Sequence, residues 1–387
     1  MLDAVTREEL LEAPIEREQR VTALELFFDL VFVFALTQVT SFLYHDPSWL
    51  RMLEALAILM VLWLAWSGYM WLGNTAATDE GAIRVVLFTA MGAMLIASLA
   101  VPRAFGKDAL LFGVAYVFVR ALHIVAYKVV ARGDSALLGA VFRLAWMELP
   151  AAAALVLAGV LPGTGRGICW AVALGLDYVG ARLGGLEGWR VNPGHLAERH
   201  GLIIIIALGE SIVALGVGAG SLGVGTGVVI GALLGIAVAA ALWWAYFDVV
   251  AGVAERRLRA AGPAEGTRMA VDSYTLLHLP MVAGIVVFAF GVKTTLAHVD
   301  AHLHGVPATA LCGGVALYLL ALSRFRLRHV GSFLIAAAAL AALAPVATML
   351  PALLSLGLVA LIACGLIAYD VHRYAEARDR IRHGVAR

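Results

Sequence analysis

Apolar and polar positions alternate in long blocks along this chain. Twelve apolar stretches, at about 22–44, 49–73, 82–102, 108–131, 136–161, 165–184, 199–219, 224–250, 272–293, 305–323, 330–350 and 352–371, are parted by short polar links. A helix needs roughly 20 apolar residues to cross a bilayer, so the pattern predicts twelve spanning helices. Two boundaries are soft: the segment at 165–184 carries Asp177, and the last two are separated only by Met349, Leu350 and Pro351, so eleven or ten spans also fit. The expected fold is all-α, a polytopic transmembrane helix bundle. Its divisions are a lead-in at 1–21, a first transmembrane half at 22–184, a linker at 185–198, a second half at 199–371 and a basic tail at 372–387. The lead-in mixes acids with arginines and lacks the apolar core and cleavage site of a signal peptide. It reads as cytosolic, with the makings of a short amphipathic helix.

Composition sharpens this picture. Of 387 residues 62% are hydrophobic and 14% charged, with mean hydropathy +0.90; a water-soluble domain is about a quarter charged, which excludes a soluble enzyme. Lys and Arg (28) nearly balance Asp and Glu (27), so the broad positive field that nucleic acid requires is missing. Cys169, Cys312 and Cys364 are odd in number and lie far apart in apolar runs, which suits small core residues and neither a disulfide framework nor a metal site.

The cations orient the bundle, because cytoplasmic loops retain Lys and Arg. With the amino terminus inside, twenty-one fall on the inner side, including Arg7, Arg84, Lys128, Arg190, Arg256, Arg324 and Arg380. The outer side receives Arg51, Arg103, Lys107, Arg166 and Lys293, while Arg120 and Arg143 fall inside spans. Both termini are therefore expected on the cytoplasmic side of the membrane. A loose internal repeat accompanies the count: Ala35-Leu36-Thr37-Gln38 matches Ala207-Leu208-Gly209-Glu210, and Trp66-Ser67-Gly68-Tyr69 matches Trp243-Trp244-Ala245-Tyr246, at offsets near 175 residues. A six-plus-six parallel duplication would set the first and seventh helices in equivalent places; chance recurrence of Ala, Leu and Trp is the bland alternative.

Ionisable residues within spans are the informative ones, since each costs about 2.5–3.5 kcal/mol at a helix centre. Glu25 and Asp29 share a face four residues apart. Mutual repulsion between two such carboxylates suits a proton or cation relay, unless cations face them. Tyr116, Arg120, His123 and Tyr127 form a polar and aromatic stripe that should look inward, with Arg120 expected to neutralise Asp29 or Glu25. Glu210, beside Ser211 near mid-membrane, is the strongest single candidate; Arg199, on the same helix, must seek a partner on another. Arg143, Glu148 and Asp177 read as structural first, with Asp177 a candidate partner of Arg143, and Glu198 is a supporting charge. In the loop His-Val-Asp-Ala-His-Leu-His, His298, His302 and His304 are metal ligands by type, but the spacing is a weak signal and no metal site is expected. Gly227, Gly231 and Gly235 make a small-residue face for packing within or between subunits, and thus a route to a homo-oligomer. Trp63, Trp66 and Trp71 read as belt or packing residues. No Walker loop, dinucleotide fingerprint, zincin or serine-hydrolase motif is present, so neither a cofactor nor a reaction is indicated.

The stretch RVTALELFFDLVFVFALTQVT (Arg20 to Thr40), with HLAERHGLIIIIALGESI (His195 to Ile212), resembles the bacterial low temperature requirement A (LtrA) family. The resemblance implies a multipass membrane protein linked by name to growth in the cold, and no established substrate. Glu25, Phe27, Phe28, Asp29, Glu198, Arg199, Gly209, Glu210 and Ser211 match its signature.

Three functions compete. One is an ion-gradient-driven transporter or permease for an unknown small solute or ion, working through Glu25, Asp29, Arg120, His123 and Glu210 between the halves. The second is a membrane-embedded sensor, or an enzyme acting on lipid or a bound cofactor; the third is a scaffold whose buried charges fix register alone.

Overall fold

The computed structural model describes residues 20–76, 78, 81–183, 185–220, 225–326 and 330–375. The lead-in up to residue 19 and the tail from residue 376 lie outside the described residues. Among those described the fold is helical throughout, with no strand. The helices are α1 (Ala23–His45), α2 (Trp49–Thr75), α3 (Gly81–Ala100), α4 (Ala109–Val130), α5 (Ser135–Val160), α6 (Gly163–Leu183) and α7 (Pro193–Gly220). They continue as α8 (Thr226–Phe247), α9 (Val250–Ala260), α10 (Pro263–Met269), α11 (Leu277–Ala297), α12 (Val306–Arg326), α13 (Gly331–Ala347) and α14 (Ala352–Arg373).

Each of the twelve apolar stretches is a helix, and ten helical segments are long and apolar enough to cross a membrane. The two outside that set are α6 and the 17-residue α13. The apolar pattern did not predict α9, which carries Glu255, Arg256, Arg257 and Arg259, or α10, which a π-helical segment at Ala270–Leu276 joins to α11. It also starts α7 at residue 199, whereas the helix begins at Pro193, a residue suited to a first turn because it has no N–H to satisfy.

Local chemistry sets several helix starts. Thr22 and Glu25 form a reciprocal capping box on α1, and the Ser48 and Asp134 side chains cap α2 and α5. Glycine permits close approach: a Cβ at Gly113 would lie 2.6 Å from the Leu155 carbonyl oxygen, and one at Gly314 2.5 Å from the Phe288 nitrogen. α4 therefore rides on α5, and α11 on α12, at backbone distance. Large apolar side chains such as Leu30, Phe27, Trp146, Ile335 and Leu361 point outward, the surface that lipid requires.

The glycine face of α8 is filled from within. A Cβ at Gly231 would meet Leu296 at 2.5 Å, one at Gly235 would meet Leu215 at 2.6 Å, and one at Gly227 would meet Val299 at 3.3 Å. Of the two roles expected for these glycines, packing within the chain is the one seen, because the chain's own leucines and valine occupy the space.

α1 and α7 pack side by side and run in the same direction. Glu25 meets His195, Asp29 meets Arg199 and Thr37 meets Glu210, so both numbers rise together along the seam.

Candidate functional site

Apart from the exposed Arg143, the charges that the sequence places within spans are buried, and they form three separate groups. The first joins α1 to α7. Asp29, fully buried, accepts at Oδ1 from Arg199 Nη2 at 2.8 Å and from the Trp66 indole at 2.8 Å. One turn below, Glu25 lies 3.1 Å from His195 Nε2 and 3.8 Å from Arg199 Nη1, while accepting the Thr22 backbone N–H at 2.8 Å. Helical periodicity places Glu25, Asp29, His195 and Arg199 four apart on facing stripes, which is why two rungs form. Gly73 on α2 leaves room for the Glu25 carboxylate, since a Cβ there would collide with it.

The second group lies between α4, α5 and α6. Arg120 Nη2 contacts Glu148 at 2.8 Å and Asp177 at 3.1 Å, while Nη1 donates to the Leu64 carbonyl at 3.1 Å. The Tyr116 hydroxyl donates to Asp177 at 3.0 Å, and His123 Nδ1 sits 3.3 Å from Glu148. His123 lies against Gly68, where a Cβ would stand 2.8 Å from the ring. Arg120, His123, Glu148 and Asp177 form the floor of a cleft of about 100 Å³, with Trp71, Tyr127 and Trp189 on its walls. Four side chains on the lining carry a buried polar atom without a hydrogen-bond partner: Ser67 (Oγ), Arg120 (Nε), His123 (Nε2) and Tyr127 (Oη).

One end of the bundle holds the wall residues. Near it, Asn74 at the end of α2 donates to the Arg190 carbonyl at 3.0 Å and accepts from the Asn192 N–H at 3.1 Å. Thr22 meets Thr78 at 3.1 Å, and Val21 N–H reaches Glu198 at 3.2 Å. The start of α1, the end of α2 and the 185–198 link thus share the end where Trp71 and Trp189 lie.

The third group is Glu210, buried on α7 and hydrogen-bonded by the Thr37 hydroxyl at 2.5 Å. Lys293, which the loop count put on the outer side, is buried within α11 with its ammonium 4.3 Å from the Tyr44 ring centroid. A buried ring cluster adjoins the first group through Trp66: His200 packs edge-on to Trp66 and Tyr274, and His278 shares a 2.9 Å hydrogen bond with the Tyr246 hydroxyl.

Several expected pairings are corrected. Arg120 does not meet Asp29 or Glu25; it meets Glu148 and Asp177, because its stripe faces α5 and α6. Asp177 therefore does not answer Arg143, which is exposed and donates to the Glu187 carbonyl at 2.6 Å. Glu148 pairs with Arg120 and also lines the cleft. The single charged centre spanning the halves is replaced by three distinct groups. Ser211 back-bonds to the Leu208 carbonyl of its own helix at 2.6 Å, and Glu198 is exposed. His298, His302 and His304 are exposed, and among the described residues no group of three His, Cys, Asp or Glu is placed to hold a metal ion.

Sequence reasoning missed His195, whose four-residue spacing from Arg199 was a usable signal. It also missed Trp66 as a hydrogen-bond donor to Asp29, and Trp71 and Trp189 as cleft walls, since nothing in a tryptophan's sequence position separates a belt residue from a wall.

Comparison with known proteins gives a family and one relative. The model of the bacterial low temperature requirement A protein family matches residues 20–368. An uncharacterized protein of Rhizobium meliloti (strain 1021) is 32% identical over 289 residues, covering 71% of this chain and 69% of that one. No solved structure matches.

Proposed function

The chain belongs to the bacterial low temperature requirement A family, and on that premise we propose that it is a gradient-driven transporter or permease of the cytoplasmic membrane, with the cleft bordered by Arg120, His123, Glu148 and Asp177 as its solute site. The observation that carries this reading is the contact between costly charges and open space: Arg120, His123, Glu148 and Asp177 border the cleft. Glu25, Asp29, His195 and Arg199 do not line that cleft, which suits a register-fixing role for them. The cation asymmetry of the loops favours cytoplasmic termini, so the cleft opens inward. The Glu25, Asp29, His195 and Arg199 group then acts as the clamp between α1 and α7, against which other helices move.

The parallel course of α1 and α7 supports a span count larger than hydropathy gives. Parallel neighbours need an odd number of crossings between them, which α2 to α6 supply only if α6 also spans. Six crossings then precede α7, in keeping with a division into halves of six.

The test is uptake by purified protein in liposomes under an imposed proton or sodium gradient, across a broad panel of labelled solutes. Gradient-dependent accumulation that falls at least tenfold in Glu148→Gln, with the variant still monodisperse, is the expected result. A panel with no flux under either gradient overturns the proposal.

A further inference from the structure

Resting on the reading of the cleft as a solute site, we infer that it selects small organic cations carrying a hydroxyl or N–H donor, because aromatic walls stand over a floor with more carboxylates than cations. The walls come first. Trp71 and Trp189 have ring centroids 6.0 Å apart at 65°, and Tyr127 meets Trp189 edge to face at 5.3 Å. Rings at steep mutual angles make a corner, and a cation seated there meets more than one negative π face. Both tryptophans are half-buried, so they border the space and are not sealed in the core.

Charge settles the sign. Glu148 and Asp177 face one guanidinium, that of Arg120, which both share through the same Nη2. An anionic solute would meet two acids and a guanidinium that both already engage at Nη2; a cationic one completes the balance. The unpartnered polar atoms define the rest of the ligand. Ser67 Oγ has an acceptor lone pair to offer, and His123 Nε2 is an acceptor in the tautomer that donates Nδ1–H to Glu148, while Arg120 Nε and the Tyr127 hydroxyl can donate to a solute hydroxyl oxygen. A buried acceptor without a donor costs free energy, and a hydroxyl or N–H on the solute relieves it.

The experiment is calorimetric titration of the purified full chain in detergent with choline, tetramethylammonium and ethanolamine, against 3,3-dimethylbutan-1-ol, the uncharged isostere of choline. Choline is expected to bind at least tenfold more tightly than the isostere, and more tightly than tetramethylammonium, which has no donor. Trp189→Leu should weaken choline about tenfold, whereas Trp189→Phe, which keeps a π face, should weaken it less. Trp189 lies on the half-buried link, so folding is checked by an unchanged elution profile and melting temperature. Equal binding of choline and isostere, no binding of any of the three cations, or a Trp189→Leu variant that binds choline as the wild type does, overturns the inference. Choline binding without flux in liposomes would sink the transporter reading and leave this one standing; flux of anions without cation binding would do the reverse.

Discussion

Separating Asp29 from Arg199 is the most direct perturbation of the seam between α1 and α7. The two are 2.8 Å apart and buried, so their gross attraction is about 6 kcal/mol at an effective dielectric constant of 20. The net worth of the pair is far smaller, because both charges lost their water on burial. Removing one partner is costly in a way that removing both is not. Asp29→Leu strands a guanidinium whose remaining acid, Glu25, is 3.8 Å away, and Arg199→Met strands a carboxylate held only by the Trp66 indole. Each single change should destabilise by about 3–5 kcal/mol, the usual cost of breaking a buried pair. The double variant should recover most of that loss, falling within about 2 kcal/mol of the wild type, since Glu25 keeps His195 and the Thr22 backbone. The measurement is reversible unfolding of all four proteins in mixed micelles, read as a double-mutant cycle. Additive single costs, with a coupling energy below about 0.5 kcal/mol, would refute the assignment of this pair as the clamp.

Two further outcomes follow from the geometry. Gly68→Ala places a methyl 2.8 Å from the His123 ring; it should tilt the imidazole away from Glu148 and depress solute binding or flux at least fivefold while changing stability by no more than about 1–3 kcal/mol, and a variant with wild-type flux and stability would show that the ring is not fixed there. Fusions of green fluorescent protein after residue 375 should fluoresce, and alkaline phosphatase fused at residues 47 or 303 should be active; the opposite pattern at either place overturns the proposed orientation.

Much of the helix inventory was legible because lipid forces a simple code: apolar runs of spanning length, and ionisable residues turned inward. The stripe of Tyr116, Arg120, His123 and Tyr127 is buried as its period demanded, and Glu25 with Asp29 does share a face. Periodicity fixes the direction a side chain takes from its own helix and says nothing about which helix waits there. Arg120 was for that reason assigned to α1 when it faces α5 and α6, and Arg199 was left without a named partner. The glycines of α8 left two readings open for the same cause, since a small-residue face looks identical whether a neighbouring copy or Leu296 fills it. The cleft itself was invisible, because it arises where Trp71, Tyr127 and Trp189 from three separate stretches meet.

The rungs between α1 and α7 also bear on how the protein is made. Asp29 and Arg199 are 170 residues apart in sequence, so at synthesis rates of about 5–20 residues per second the acid emerges roughly 10–30 seconds before its guanidinium. Throughout that interval the opening helix carries Glu25 and Asp29 toward the membrane with no arginine or histidine of α7 to receive them. The insertion machinery must shelter that helix, or leave it at headgroup depth, until the seventh arrives. Biogenesis of the amino-terminal portion is thus completed by a segment translated long after it.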